Sequence, residues 1–332
     1  VTTPWDRNTR VAVVVPCYRV HENILQTLDG IGPEVSGIFV VDDACPDGSG
    51  DLVEERTSDS RITVLRHEKN KGVGGAVLTG YRAALEDGAT IVVKLDGDGQ
   101  VDPRLIPKLL SPLVGGQCDY VKGNRFFNPE DLAEMPRNRL FGNAVLSFLT
   151  KMSSGYWSMM DPTNGFTAIS TPVLRLLPLT KISNRYFFES DMLFRLNTVR
   201  AVVMDVPMRA TYAGSVSSLR TRDVILPFLS GHVRNTLARI FYGYFLRGFS
   251  IASIELLLSV PLIMFGTAFG LYHWIINAMN GVPTLPGTVM VAALPIVIGM
   301  QLLLAFIAHD MQAEPRLALT PLLDAADARE NR

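Results

Sequence analysis

Cysteine is scarce in this chain of 332 residues: there are three, Cys17, Cys45 and Cys118. Their number is odd and their spacing fits no metal site. That excludes a disulfide framework and a structural zinc centre, and leaves small buried hydrophobes in a reducing compartment as the expectation. An excess of charge of either sign is also missing. With 31 basic against 32 acidic residues the formal net charge is −1, so nothing steers the whole molecule toward nucleic acid. The N-terminal end lacks an apolar run; Trp5, Asp6 and Arg7 stand where one would begin, and no signal peptide is expected. Internal repeats, low-complexity tracts and long linkers are absent too, apart from a polar tail after Asp310.

What the chain has in plenty is apolar residues, unevenly spread. The mean hydropathy of +0.21 is high for a soluble enzyme. Phe249 to Ile276 is a run of 28 residues with one formal charge, Glu255, and Thr288 to Ala308 is a run of 21 with none. Each exceeds the roughly 20 residues a helix needs to cross a bilayer core, and two such runs in succession argue against buried core helices. The intervening Asn277 to Gly287 holds no charge and two prolines, which suits a short loop. Before the first run stand Arg220, Arg222, Arg234, Arg239 and Arg247 against Asp223 alone. That bias places the preceding domain on the cytoplasmic side. Tyr272, His273 and Trp274 fit an interfacial belt. Leu226 to Arg247 mixes arginines with Phe228, Phe241, Tyr244 and Phe245, as a helix lying on the bilayer would.

The first two hundred residues alternate apolar strands with helical patterns. Val11–Val15, Ile38–Val41, Ile62–Leu65 and Thr90–Leu95 read as strands, and Glu22–Ile31, Asp47–Arg56 and Val73–Glu86 as helices between them. Strands apolar on both faces predict a mainly parallel sheet covered by helices on each side, an α/β fold. Ligands of such sheets bind outside the carboxyl ends of the strands. Pro16-Cys17-Tyr18, Asp42-Asp43 and Asp96-Gly97-Asp98 all fall there.

The acidic turn is the centre of the chemistry. A strand ends at Lys94-Leu95, and Asp96 and Asp98 follow with Gly97, Gly99 and Gln100. Two carboxylates at a strand end suit a hard divalent cation such as Mg²⁺ or Mn²⁺ bridging to phosphates; a solvated acidic turn is the plainer reading. Lys69-Asn70-Lys71-Gly72-Val73-Gly74-Gly75 opens a helix and follows neither the Walker A nor the G-x-G-x-x-G order. It is either a phosphate-receiving helix start or an ordinary one. Asp119–Gly123 reads as a further strand ending at Asn124-Arg125. Arg139–Met152 is amphipathic, with Arg137, Arg139 and Lys151 about an apolar face, and fits a core helix or the membrane surface equally. Asp161 sits in the turn Asp161-Pro162-Thr163-Asn164-Gly165, where a carboxylate can be only an Asx cap. Glu189 and Asp191 read as helix-start partners of the dipole.

Taken in order, Pro-x-Tyr, Val-Asp-Asp with Pro-Asp-Gly-Ser, Asn-Lys-Gly-Val-Gly-Gly-Ala, Asp-Gly-Asp-Gly-Gln, Gly-Asn-Arg and Asp-Pro-Thr-Asn-Gly-Phe resemble the inverting GT-A glycosyltransferases of family 2. Within them the chain is most similar to the membrane-anchored polyprenyl-phosphate sugar transferases. The resemblance runs from Val11 to about Arg222 and implies a Rossmann-like GT-A domain over residues 1–222. A juxtamembrane helix over 223–248, a two-helix membrane hairpin over 249–310 and a polar cytoplasmic tail over 311–332 complete the expected organisation. It further implies transfer of a hexose from a UDP- or GDP-linked sugar to a polyprenyl phosphate. Pro16, Tyr18, Val41, Asp43, Asp96 and Gly97 would bind the donor nucleotide, and Asp96, Asp98 and Gln100 the Mg²⁺ or Mn²⁺. Arg125, with Arg139, Arg209 and Arg220, would meet phosphate or acceptor. Asp161 and Asp98 would be the catalytic pair, Asp161 matching the aspartate discussed as base. The expected partners are the nucleotide sugar, the lipid and the membrane, with no nucleic acid; self-association into a homo-oligomer is left open. These relatives often carry an arginine before the Gly-x-Ser turn, where this chain has Ala213-Gly214-Ser215; Arg209, Arg220 or Arg222 would stand in.

The chemistry agrees. A metal neutralises the leaving diphosphate as a Lewis acid. A phosphomonoester acceptor, with its second pKa near about 6, is already largely anionic at neutral pH, so a strong base is optional. An acceptor confined to the bilayer explains an anchored enzyme. The alternative acceptor is a lipid-linked glycan or polysaccharide, but the Gln-x-x-Arg-Trp motif of processive synthases is missing. A non-enzymatic tethered scaffold is opposed by the intact Asp96, Asp98 and Asp161.

Overall fold

The computed structural model describes residues 9–127, 137–208 and 221–330, without the side chains of 137–139, 221–224 and 327–330. The chain forms two compact units, one of residues 1–236 with 315–332 and the other of 237–314.

The first unit is built on a seven-stranded sheet. Its strands are β1 (Val11–Cys17), β2 (Gly37–Asp42), β3 (Ile62–Arg66), β4 (Ile91–Lys94), β5 (Tyr120–Asn124), β6 (Thr167–Ser170) and β7 (Val203–Pro207), in the order β3-β2-β1-β4-β6-β5-β7. The expected parallel pairs form: β1 lies between β2 and β4, with Val14 opposite both Phe39 and Lys94. Strand β6 runs antiparallel to both neighbours, and its Thr167 lies opposite Lys94 on one side and Lys122 on the other. The start of β6 therefore lies at the edge where β4 and β5 end, so the turn that precedes it reaches the acidic turn.

Period-two alternation divides the core. Val11, Val13, Val15, Ile38, Val40 and Val93 face one layer, in which Ile24, Leu28 and Val53 come from α1 (Ile24–Asp29) and α2 (Ser49–Arg56) and Leu109 and Leu113 from α4 (Ile106–Val114). Ala12, Val14, Val41 and Val92 face the other, with Val77 and Tyr81 of α3 (Val73–Glu86), Val173 of α6 (Thr171–Leu176) and Met192 and Leu193 of α7 (Phe188–Val199). The amphipathic segment is α5 (Arg137–Ser154); its Phe141 and Phe148 are exposed. Cys17 and Cys118 are fully buried, and burial pushes both thiols up to about 12, as inert apolar fillers.

The expected polar tail after 311 is different. Its end is helical, as α11 (Thr320–Glu330), and belongs to the first unit. Ala318 joins the core, and Leu319 and Leu323 pack against it. The fully buried carboxylate of Asp119 accepts from the Leu319 amide at 2.9 Å, the Thr320 amide at 2.8 Å, the Thr320 hydroxyl at 2.7 Å and the Val202 amide at 2.8 Å. One buried acid thus caps α11 and ties it to the sheet. Leaving such donors unpaired costs about 1–3 kcal/mol each. Asp119→Ala is expected to destabilise the first unit by roughly 3–5 kcal/mol and to open residues 315–330 to protease. Thermal unfolding and limited proteolysis check this; an unchanged cleavage pattern would refute the clasp.

The second unit contains α9 (Ile251–Met279) and α10 (Pro286–Gln312). Only 11% of the most apolar window of either helix is buried, so their apolar surfaces look outward and both are long and apolar enough to cross a membrane. The two helices touch closely: a Cβ on Gly266 would strike the Ala292 carbonyl, and one on Gly299 the Ser259 carbonyl. At the hairpin's foot Asp310 takes both guanidinium nitrogens of Arg239, at 2.6 and 2.9 Å, and the Tyr244 hydroxyl at 2.7 Å. Arg239 and Asp310 are buried, which removes that arginine from the free positive charge before the first span. Tyr244 lies in a π-helical turn, Tyr242–Arg247, that ends α8 (Thr221–Phe241).

Candidate active site

The carboxyl ends of the strands gather the polar residues. On the β2 side Pro16 lies opposite Val41, and Tyr18, just past β1, is 42% exposed. Arg19 holds a left-handed backbone (φ 58°) with its guanidinium 5.5 Å from the Tyr18 ring centre. Val41 is fully buried within the sheet. The carboxylate of Asp43 is almost fully buried. It accepts from the amides of Lys71 at 2.8 Å and Gly72 at 2.7 Å and lies 2.7 Å from Nδ1 of His67. It thus fastens the lysine–glycine loop to the end of β2.

That loop does not form an open phosphate cradle. The Gly75 amide donates to the Asn184 carbonyl at 2.8 Å, and a Cβ on Gly74 would overlap the Ser183 carbonyl and Phe188. The glycines are small because the segment before α7 packs against the start of α3. This close packing is neither of the two expectations, a phosphate-receiving helix start or an ordinary one.

Asp96 and Asp98 follow β4. Asp96 is 35% exposed, with Oδ1 2.9 Å from Nζ of Lys94. Asp98 is half-buried, and its Oδ1 accepts from the Gln100 amide at 3.1 Å. Burial raises the Asp98 pKa, the Gln100 amide working against it and Asp96 adding to it. Gly97 is packed: a Cβ there would lie 2.8 Å from Ile24. No group of three or more His, Cys, Asp or Glu side chains fit to hold a metal occurs among the described residues. Two carboxylates at one turn, one of them poorly solvated, suit a hard divalent cation whose other ligands are diphosphate oxygens. The residues fit Mg²⁺ or Mn²⁺ in that shared form.

Asp161 is fully buried beside the acidic turn's neighbour strand. Its Oδ2 accepts from Nε of Arg125 at 2.8 Å and from the Arg125 amide at 3.2 Å, and its Oδ1 from Nη2 of Arg125 at 3.0 Å. The bidentate pair fixes the guanidinium plane. Asn164 donates to the Gly123 carbonyl at 2.7 Å, and a Cβ on Gly165 would collide with Asp96 and with Nζ of Lys94. Glycine at 165 is therefore what lets the turn lie against the acidic one. Arg139 lies in α5 with its side chain outside the described residues, and Arg209, Arg220 and the Ala213-Gly214-Ser215 turn lie outside them altogether.

Three further residues belong to this edge. Lys94 is 1% exposed, between Asp96 and Glu189, whose Oε1 is 3.2 Å from its Nζ. Burial alone would drive the ammonium toward neutrality, but the two carboxylates outweigh it and raise its pKa. The sequence gives Glu189 a dipole role only; a lysine inside an apolar strand is the signal for its second one, since a buried ammonium needs a buried acid. Asp191, by contrast, accepts from the Ser183 amide at 2.9 Å and from Asn235 at 2.9 Å. Lys122, fully buried on β5, donates to the Asn164 carbonyl. Burial pushes it down to about 8, only partly offset by Glu189 and Asp161. An unfolded lysine titrates at about 10.4, so below pH 8 both states hold the proton and the fold bears the cost of a buried charge. Between about 8 and 10.4 only the unfolded chain holds it, and stability rises with pH, by ~3 kcal/mol in all. Lys122→Met should therefore stabilise the protein by about 2 kcal/mol at pH 7, after the lost hydrogen bond is deducted, and flatten that rise. Melting temperatures from pH 7 to 10 test it; an unfolding midpoint lowered at pH 7 would contradict it.

The profile of glycosyl transferase family 2 matches residues 12–177. Among curated proteins, the UDP-N-acetylglucosamine–dolichyl-phosphate N-acetylglucosaminyltransferase of Methanococcus voltae is 29% identical over 232 residues, 66% of this chain and 92% of that protein. The undecaprenyl-phosphate mannosyltransferase of Micrococcus luteus is 32% identical over 203 residues, 60% of this chain and 82% of that one. The solved glucosyl-3-phosphoglycerate synthase of Mycobacterium tuberculosis, in complex with Mn²⁺, UDP and phosphoglyceric acid, shares the GT-A fold. Its TM-score is 0.50 at 20% identity, covering 70% of this chain and 78% of that one.

Proposed function

Since the chain belongs to glycosyl transferase family 2, we propose that it transfers a hexose, with inversion and with a divalent metal, from a UDP- or GDP-linked sugar to a polyprenyl phosphate. The observation that carries this is the meeting, on one sheet edge, of the Asp96–Asp98 turn with the Arg125–Asp161 pair. The relatives named above act, by their names, on dolichyl and undecaprenyl phosphates, and they carry different sugars, so the sugar is left to experiment.

Mg²⁺ or Mn²⁺, held by Asp96 and Asp98 with Gln100 beside them, would supply charge neutralisation of the leaving diphosphate. Tyr18, beside Pro16, offers an exposed ring for the base, and the Asp43 clasp keeps the β2 end shaped for the ribose. Arg125, aimed by Asp161, receives the acceptor phosphate. Both Asp161 oxygens accept from Arg125, and the phosphate is already anionic at neutral pH, so Asp161 acts by positioning rather than by taking a proton. The apolar hairpin anchors the enzyme where the lipid lies, and the arginines before it favour the cytoplasmic face.

Purified protein with Mn²⁺ or Mg²⁺ and a short polyprenyl phosphate would be offered radiolabelled UDP-glucose, UDP-N-acetylglucosamine and GDP-mannose. Metal-dependent label in the organic phase from one donor is the expected result. A donor that binds but never labels the lipid would turn the assignment toward extension of a lipid-linked glycan.

A further inference from the structure

Lys94 is an unusual residue for a central strand. It stands on β4 between β1 and β6, 1% exposed, on the face that α3 and α7 cover. A buried ammonium survives only with close anions, and it has two, Asp96 at 2.9 Å and Glu189 at 3.2 Å. The turn over it leaves no way out: a Cβ on Gly165 would overlap both Nζ of Lys94 and the Asp96 carboxylate. The ammonium is thus confined beside a carboxylate that a metal would also use.

We propose that Lys94 is a fixed counter-ion that keeps the metal site weak until the donor diphosphate arrives, so that metal and nucleotide bind together. This rests on the reading of Asp96 and Asp98 as a metal–diphosphate site. Asp96, Asp98 and Glu189 with Lys94 carry two net negative charges, which a divalent cation cancels, and the polyanionic diphosphate then meets no repulsion. Without Lys94 the same acids carry three. The bare cation is held more tightly, but a negative charge is left over to oppose the diphosphate. Glu189 completes the device by sharing the ammonium, so that Asp96 is not neutralised outright. At protein-like effective dielectric a unit charge at this range changes affinity by about tenfold or more.

The test is direct binding of Mn²⁺, followed by its electron paramagnetic resonance signal, with no nucleotide and then with UDP or GDP. Lys94→Met is expected to tighten Mn²⁺ alone by about fivefold or more and to weaken the Mn²⁺-dependent binding of the nucleotide by about tenfold or more. A purely structural lysine would weaken both on removal, and that result, or unchanged Mn²⁺ binding, overturns the proposal. Glu189→Gln keeps the side chain's shape and guards against a misfolded Lys94→Met. With one acid fewer about the same ammonium, Mn²⁺ alone should bind about fivefold more weakly; no change would overturn the proposal as well. Should the unaltered protein fail to bind Mn²⁺ with either nucleotide, the metal–diphosphate reading falls and the proposal with it. That outcome differs from a variant that fails against a binding-competent parent.

Discussion

Asp98→Ala is expected to abolish metal-dependent binding of the donor and to lower turnover by about a thousandfold or more, the scale on which loss of electrostatic stabilisation at a leaving group acts. Asp98 is half-buried, raised in pKa by that burial, and its Oδ1 accepts from the Gln100 amide. Lys94 pairs directly with Asp96 at 2.9 Å and acts on Asp98 only through space. A metal that depends on two protein carboxylates and a diphosphate would lose one of those two carboxylates with Asp98. The fold should hardly notice, because the Gln100 amide lies at a half-buried turn. Titrating Mn²⁺ against nucleotide binding checks the expectation, with the melting temperature as control. A wild-type titration curve in Asp98→Ala would remove the residue from the metal.

The second large effect concerns Asp161. Asp161→Asn is expected to lower turnover by about a hundredfold or more and to raise the concentration of acceptor needed for half-maximal rate. An amide cannot accept both guanidinium bonds that now hold Arg125 at 2.8 and 3.0 Å. Asp161→Ala should add a stability loss of about 3–5 kcal/mol, the cost of taking the carboxylate away from a mostly buried guanidinium. Arg125→Lys should not restore acceptor binding, because an ammonium cannot make the planar bidentate pair. Base and positioning roles separate in the pH–rate profile. If Asp161 positions, the acid limb survives in Asp161→Asn, because it belongs to the acceptor phosphate near pH ~6. If the limb vanishes while acceptor affinity is unchanged, Asp161 is the base.

Much of this architecture is local and was legible residue by residue. Strands β1 to β5 and the first three helices come from apolar runs and glycine or proline punctuation, and α3 has the expected bounds of Val73–Glu86. The acidic turn was legible because carboxylates at a strand end have few structural uses. The Lys94–Glu189 pair, 95 positions apart, is not legible in the sequence, because a charged group inside an apolar strand recruits its partner from a different element. The terminal segment reads as a polar tail from its composition alone. Its two short cues, Leu317-Ala318-Leu319 and the helix start Thr320-Pro321, make sense only beside Asp119, some 200 positions earlier.

The sequence by itself determined the fold class, the apolar hairpin, and the residue types at the sheet edge. Those follow from periodicity, length and the chemistry of short motifs, which act over a few neighbours. Only the tertiary structure decided which of those residues are partners. The antiparallel course of β6 sets Asp161 against Arg125 and lays Gly165 over Lys94 and Asp96. Packing of the segment before α7 closes the glycine loop that could have received phosphate. Long-range pairing is set by which buried charges and amides must be satisfied at once, and that condition is a property of the folded whole.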